Sequence, residues 1–410
     1  MAKHGQLMIG LDIGTSKIAC VVTERTPDGG LDVIGLGTHP SRGLRKGVVV
    51  NIESTVESVR LAVEEAELMS GVEIKSVYTG IAGSHIRGIN SHGVVATKSG
   101  EVNEEDVERV IDAARAMNIP ADQKTLHILP QEFIIDHQDG IREPVGMSGV
   151  RLEAKAHIVT CAVSSAQNIV KCCNRCGLDV ADMILEPLAA SEAVLLQDEK
   201  DIGVALVDIG GGTTDIAVFL NGAIRHTTII PLGGDHLTND LVVGLRTSAR
   251  EAEKLKRKYG ACMVSAISPE DQIEIPGVGG RKARPMPRQV MAQILEPRVE
   301  EIFELVKAEL DRSGFQELLA AGLVITGGSS LLDGIVELGE EIFDIPVRRG
   351  RPHGVGGLVD VVSSPMYATG VGLIRYAQRY QSRISASAGS EKNIFSKVWQ
   401  RMRNWFGDQT

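Results

Sequence analysis

Two stretches of this chain, half its length apart, share one plan. LMIGLDIGTSKIACVV (residues 7–22) and GVALVDIGGGTTDIAVF (203–219) each begin with an apolar strand ending in Asp-Ile-Gly. A short Gly/Thr/Ser turn follows, then a second strand rich in β-branched residues. A unit that recurs in this way predicts a duplicated α/β fold with two related lobes. At 410 residues the chain has room for two to four domains.

The residue types in the turns point to phosphate. Gly14, Gly210, Gly211 and Gly212 are expected to take φ > 0 and to let the backbone approach a ligand with no Cβ in the way. Their N–H groups then form a cradle for phosphate oxygens. Asp12 and Asp208, at the strand ends, are placed to hold the hydration shell of Mg²⁺, which keeps its waters and takes only one or two carboxylates. Thr15, Ser16, Thr213 and Thr214 add hydroxyls. A lone DIGT reads equally well as a tight hairpin with a capping Asp. Two copies, one of them DIGGGTTD, favour the phosphate reading. A third turn, LVITGGSSLLDGI (323–335), runs a strand into Gly327, Gly328 and Ser329 before a helical pattern. There a nucleotide's base and α-phosphate can rest on glycine backbone and a helix N-terminus. The motifs GxxxxGK[ST], GxGxxG between a strand and a helix, HExxH and GxSxG are absent.

Composition narrows the alternatives. The formal charge of -10 gives no general footprint for nucleic acid. The start, MAKHGQLMIGLDIGTSK, is not a signal peptide, because its apolar run is short and meets glycines and Asp12 at once. No stretch reaches the roughly 18 to 20 apolar residues that cross a bilayer. A cytosolic or membrane-surface location is therefore expected. Cys172, Cys173 and Cys176 in KCCNRCGLDV lack the second ligand pair of a zinc site and read as small thiols on a buried helix face.

The three turns, in this order and spacing, resemble the phosphate-1, phosphate-2 and adenosine motifs of the actin-like ATPase superfamily. LEPLAASEAVLL (185–196) resembles its first connecting helix, and EAEKLKRKYG (251–260) the segment whose Glu and Lys reach the ribose and adenine, here Glu253 and Lys256. Within the superfamily, SRGLRKGVVVNIEST, HILPQEFIID, EPVGMSGVRLEAKAHIVT, LGGDHLTNDLVVGL, LEPRVEEIFELV and SSPMYATGVGLIRYA are similar to the FtsA family of bacterial cell-division proteins over essentially the whole chain. That resemblance implies an actin-like two-lobed ATPase fold with duplicated sheet-plus-helix cores and an FtsA-type 1C insertion. Subdomain 1A would take 1–83 and 162–195, 1C 84–161, 2A 196–226 and 302–380, and 2B 227–301. It further implies ATP binding, with Lys17 and Gly234 joining the turn residues above. It implies filaments on the cytoplasmic face of the inner membrane at mid-cell, contacts with other division proteins, and tethering of FtsZ, whose C-terminal peptide would dock at Arg298 and Glu301 of 2B. Catalysis is less defined. Asp12, Asp208 and Thr214 can serve the metal, whereas AVSSAQNIVKCC offers only Gln167 to orient a water, so a slow ATPase at most is expected. The alternatives are a small-molecule kinase of the same fold, a heat-shock-type chaperone and a PilM-type pilus-assembly protein. The chain has no length left for a chaperone's peptide-binding domain.

The C-terminus carries its own signal. After Tyr380, QSRISASAGSEK (381–392) reads as a flexible Ser/Ala/Gly linker, with an r.m.s. reach of roughly 20 Å. In 393–410, Ile394, Phe395, Val398, Trp399, Met402, Trp405 and Phe406 fall within an arc of roughly 140° on a helical wheel. Lys397, Arg401 and Arg403 lie on the opposite side. Both tryptophans of a chain with 3% aromatic residues lie here. Such a helix can lie in an anionic lipid interface but cannot span it. Partial burial offset by ordering leaves a weak anchor, which many linked copies in a filament would make firm.

Overall fold

The computed structural model describes residues 6–277 and 282–387. The amphipathic segment expected at 393–410, and residues 388–392 of the linker, lie outside these.

Each Asp-Ile-Gly stretch folds as a hairpin. Strand Leu7–Ile13 pairs antiparallel with Lys17–Arg25, ending with Ile13 opposite Ile18. Strand Val204–Ile209 pairs with Thr214–Leu220, ending with Ile209 opposite Thr214. The turns close alike: Gly14 N–H donates to Lys17 O at 3.1 Å, and Gly210 N–H to Thr213 O at 2.9 Å. A third antiparallel strand follows each hairpin, Leu31–Pro40 in one lobe and Ala223–Ile230 in the other. On its far side each first strand gains a parallel neighbour, Ser76–Ile81 and Leu323–Thr326 respectively. Edge strands complete a six-stranded and a five-stranded sheet. Every residue of Val204–Ile209 is buried, which is why a central strand reads as an unbroken apolar run rather than an alternating one.

Helices cover these sheets where local signals start and stop them. Asn51 caps Ile52–Ser70 by accepting from Ser54 N–H at 2.9 Å, and Gly71 ends it with φ 71. Between Ser76–Ile81 and Asp179–Leu185 the chain leaves the first sheet. It builds a four-stranded antiparallel sheet in the order Arg87–Ala96, Arg151–Ala162, Gln123–Ile135, Gln138–Ile141. Helix Glu104–Arg115, opened by an Asn103–Asp106 capping box, packs Val107, Val110 and Ile111 into a core separate from those of the lobes. The inserted sheet also reaches the second lobe through polar bonds. Asn90 Nδ2 donates to Arg225 O at 3.1 Å, Gln131 Nε2 donates to Ile224 O at 2.9 Å, and His157 Nε2 lies 2.8 Å from Thr227 Oγ1.

Three boundaries differ from the sequence expectation. Strand Ala223–Ile230 carries the second sheet past 226. Residues 356–380, expected with the second lobe, belong to the first. Gly356–Gly357 pairs with Leu31–Pro40, and helix Ala368–Ser387 places Val371, Leu373 and Ile374 in the first lobe's core. Glycines on both sides permit that packing: a Cβ on Gly372 of the helix would stand 2.0 Å from Ala189 O, and one on Gly10 of strand Leu7–Ile13 would stand 2.4 Å from Gly370 O. The same helix continues to Ser387, so residues 381–387 of the expected linker are helical. That stretch holds no Gly or Pro to stop the helix; the first glycine is Gly389. No helix among the described residues is long and apolar enough to cross a membrane.

Candidate functional site

The two hairpin turns meet across a cleft of about 250 Å³ between the lobes. A Cβ on Gly212 would lie 2.6 Å from Thr15 Oγ1, and one on Gly211 would lie 2.8 Å from Ser16 Oγ. The second turn is therefore bare because the first turn's side chains fill the space in front of it. None of Gly14, Gly210, Gly211 and Gly212 has positive φ, contrary to the sequence expectation. Their value is the missing Cβ. Gly327, in the third turn, does need a left-handed backbone (φ 84), and a Cβ there would strike Asp208 Oδ1 at 2.3 Å.

Sixteen of the expected residues line this one cleft. They are Asp12, Gly14, Thr15, Ser16 and Lys17 from the first hairpin, and Asp208, Gly210, Gly211, Gly212 and Thr213 from the second. Gly234, Glu253, Lys256, Gly327, Gly328 and Ser329 complete the set. The third turn is tied to the second hairpin by Ser329 Oγ, which donates to Gly210 O at 3.4 Å. Lys256 does not hang free in the cleft. Its Nζ donates to Gly234 O and Thr238 Oγ1, each at 2.8 Å, and lies 2.7 Å from Glu253 Oε2. It thus fixes the start of helix Gly234–Leu245 against helix Ala249–Tyr259.

Two expected residues are elsewhere. Thr214 is fully buried and donates to Leu232 O at 2.9 Å. Strand alternation turns Thr213 and Asp215 to the cleft and Thr214 away from it. Gln167 is exposed on helix Val163–Arg175 and does not line the cleft.

In their place, and besides Asp235 at the start of helix Gly234–Leu245, the cleft holds two carboxylates that motif reading passed over. Asp215 follows Thr214 on the second hairpin, and Glu186 opens helix Glu186–Val194 with Pro187 behind it. The period-2 alternation of a strand beginning at Thr214 was the signal for Asp215. Glu186 was visible only as the acidic first residue of a helix following a strand. Its position is set from the inserted sheet, because Leu185 N–H donates to His127 Nε2 at 3.0 Å. Burial holds His127 neutral, with a pKa lowered to about 4, and so keeps that acceptor available.

The electrostatics of the cleft are unbalanced. Burial, then Asp12, pushes Asp208 up to about 7, against a 3.3 Å hydrogen bond from Thr369 Oγ1 and the charge of Lys17. Burial, then Asp208, raises Asp215 well above the usual carboxylate range, and its Oδ1 has no hydrogen-bond partner. Burial and the charges of Asp12, Asp215 and Asp208 do the same to Glu186. Asp12 is raised by burial and opposed by Lys17, whose Nζ lies 3.7 Å away over the ring of Tyr367. That distance is too long for a hydrogen bond, and Lys17 Nζ is buried without one. Asp12, Asp208, Asp215 and Glu186, grouped around the single ammonium of Lys17, suit a ligand that brings its own cation and its own anionic oxygens. Among the described residues no three His, Cys, Asp or Glu side chains are grouped to ligate a metal directly.

Arg298 and Glu301 lie on helix Arg288–Ser313, away from the cleft. Arg298 Nε and Nη2 reach Asp240 at 2.6 and 3.2 Å, and Nη1 contacts Glu301. Cys172 and Cys173 are buried, and burial pushes Cys172 up to about 11, so these thiols are inert packing groups.

Comparison with known proteins adds three findings. Residues 205–372 match the family described as cell division protein FtsA, and residues 83–160 match the SHS2 domain inserted in FtsA. Cell division protein FtsA of Pseudomonas aeruginosa is 54% identical over 408 residues, covering 98% of each chain. Among solved structures, the PilM–PilN type IV pilus biogenesis complex aligns with TM-score 0.65 at 16% identity, over 90% of this chain and 98% of that one. MreB 5 of Spiroplasma citri bound to AMPPNP aligns with TM-score 0.58 at 15% identity, over 93% and 99%. The structural likenesses establish an actin-like fold.

Proposed function

The chain belongs to the FtsA family of cell division proteins, and from that premise we propose that it binds ATP with Mg²⁺ in the interlobe cleft. We further propose that it assembles into filaments and holds FtsZ to the cytoplasmic face of the inner membrane at the division site. The observation that carries the nucleotide part is the cleft's charge pattern. A filled turn and a bare one face buried Asp12, Asp208, Asp215 and Glu186, with Lys17 among them 3.7 Å from Asp12 and without a hydrogen bond. An actin-like neighbour, MreB 5, is bound to AMPPNP, which supports a nucleotide in a cleft of this fold. Asp12 and Asp208 would hold Mg²⁺ through its waters, and the ion would supply neutralising charge at the phosphates. The N–H groups of the two turns and Lys17 would bind phosphate oxygens.

Glu186 replaces Gln167 as the group placed to orient a water. Burial, then the charges of Asp12, Asp215 and Asp208, raise its pKa and so favour the protonated form, which takes no proton from water, in keeping with a slow ATPase at most.

For FtsZ, the proposed docking point at Arg298 and Glu301 sets a condition. An acidic C-terminal peptide competes with Asp240 for the Arg298 guanidinium. The membrane part rests on the wheel of Ile394, Phe395, Val398, Trp399, Met402, Trp405 and Phe406 with Lys397, Arg401 and Arg403. The pilus-assembly alternative shares the fold with this chain, at 16% identity to the pilus complex.

Imaging on anionic lipid monolayers with ATP and Mg²⁺ tests the whole reading. Full-length protein should form filaments there and recruit an FtsZ tail peptide. Protein carrying Trp399→Glu and Trp405→Glu should leave the lipid while still binding ATP. Unchanged lipid recovery of that variant would overturn the anchor, and loss of ATP binding by wild type would overturn the cleft.

A further inference from the structure

A second cavity, of about 340 Å³, lies outside the interlobe cleft. It is built where the chain passes between lobes. The outgoing pass contributes Leu195, Leu196 and helix Gln197–Ile202, ahead of strand Val204–Ile209 of the second sheet. The returning pass contributes His353, between strand Val347–Arg349 of the second sheet and Gly356–Gly357 of the first. The two passes are joined by His353 N–H, which donates to Ala193 O at 3.0 Å. Helix Ala368–Ser387 closes the cavity with Arg375, Gln378 and Arg379.

The charges around this cavity do not cancel. Lys200 is only 4% exposed and donates to Glu192 at 2.8 Å. Arg379 meets the same carboxylate at 2.9 and 3.0 Å. Glu192 is thus shared by two cations. Arg375 has no carboxylate within ion-pair distance among the described residues. Its Nη1 donates to His353 O at 2.6 Å and to His353 Nδ1 at 2.8 Å. The nearby Glu199 gives no relief, because Arg348 takes it through Nε and Nη2 at 2.6 and 2.7 Å. Three cations therefore line the cavity against one carboxylate, an excess of two positive charges. The geometry also leaves a donor waiting. Nδ1 of His353 accepts from Arg375, so the ring's proton sits on Nε2, which is buried and has no partner.

We propose that this hinge cavity binds a phosphate-class oxyanion, held by Arg375, Lys200 and His353 Nε2–H. A phosphate group carries about -1.5 to -2 charge near neutral pH, which matches the surplus. Guanidinium, ammonium and imidazole donors converging on one small space are the set that recognises it. Arg375 is the main positioning cation, since Lys200 and Arg379 are already engaged by Glu192. The site is independent of the nucleotide reading, because none of its residues lines the interlobe cleft.

The test is isothermal titration of inorganic phosphate into the full-length protein, with Mg²⁺ and excess ADP present to occupy the interlobe cleft. One saturable site is expected, displaced by sulfate. Arg375→Gln should weaken it about tenfold or more, the scale of a lost charge-assisted hydrogen bond. Gln197→Glu sets a carboxylate at the exposed rim and should weaken it similarly without disturbing the core. Should Arg375→Gln not fold, Gln197→Glu decides the matter alone. Absence of saturable binding by wild type, or equal binding by a folded variant, would overturn the site. If ADP itself does not bind and wild type still shows one saturable phosphate site that the variants weaken, the nucleotide reading is refuted and this one is kept.

Discussion

Aligned on their turns, the two hairpins correspond residue by residue: Gly14 with Gly210, Thr15 with Gly211, Ser16 with Gly212, Lys17 with Thr213, and Ala19 with Asp215. The backbone plan is the same, down to the closing hydrogen bond of each turn. The chemistry is divided. The first turn is filled and brings the ammonium, whereas the second is bare and brings an extra carboxylate. Because Thr15 and Ser16 stand where side chains on Gly211 and Gly212 would have to go, each turn's composition answers the other's. Duplication thus yields a shared frame, and the site arises from what the two copies no longer have in common.

That division can be broken directly. Gly212→Val forces side chain into Thr15 Oγ1 and Lys46 Cα, 2.6 and 3.0 Å from the new Cβ. It should cost ATP affinity about a hundredfold by titration calorimetry, in keeping with overpacking penalties of roughly 1 to 3 kcal/mol. The mirror change, Ser16→Gly, only empties space and should cost less than about tenfold. Equal losses would mean that the turns do not depend on each other. Next in size, Lys17→Ala should weaken ATP about tenfold or more, and Thr213→Ala only a few-fold, since charge-assisted bonds are about twice as strong as neutral ones.

The carboxylates give a pH signature. Asp208 has an ordinary value of 3.8 and a folded value of about 7, so the folded protein keeps a proton that the unfolded chain has lost. The contribution of Asp208 to the stability of the ligand-free protein should therefore fall as pH rises from about 4 to 7. Buried His127 and His157, lowered to about 4 and about 3, act in the opposite sense below about pH 6.5. The difference between wild type and Asp208→Asn isolates the carboxylate. The melting temperature of the variant, relative to wild type, should rise across that window, and a constant difference would refute the cluster's electrostatics. The smallest effects belong to residues outside the cleft. Thr214→Val should cost about 1 kcal/mol of stability for its bond to Leu232 O and leave ATP affinity unchanged. Gln167→Ala should change neither.

Much of this was legible in the sequence, for a physical reason. Glycine turns between apolar strands are local signals, so both hairpins and the third turn could be read from composition alone. Asp215 and Glu186 were missed because their role depends on orientation. Thr214 and Asp215 are equally polar neighbours, and only strand alternation decides which faces the cleft. Glu186 follows Leu185, whose N–H is held by His127, fifty-eight residues before Leu185 in an inserted sheet. The last helix was assigned to the wrong lobe because its packing on Ala189 depends on glycines whose partner lies far away in sequence.

The central claim is that the two hairpins together hold a nucleotide through a hydrated divalent cation. Titration of ATP into the wild-type protein, once with Mg²⁺ and once with EDTA, tests it most directly. The buried carboxylates repel bare triphosphate, so affinity with Mg²⁺ should be about tenfold or more higher. Equal affinity in the two buffers would contradict it.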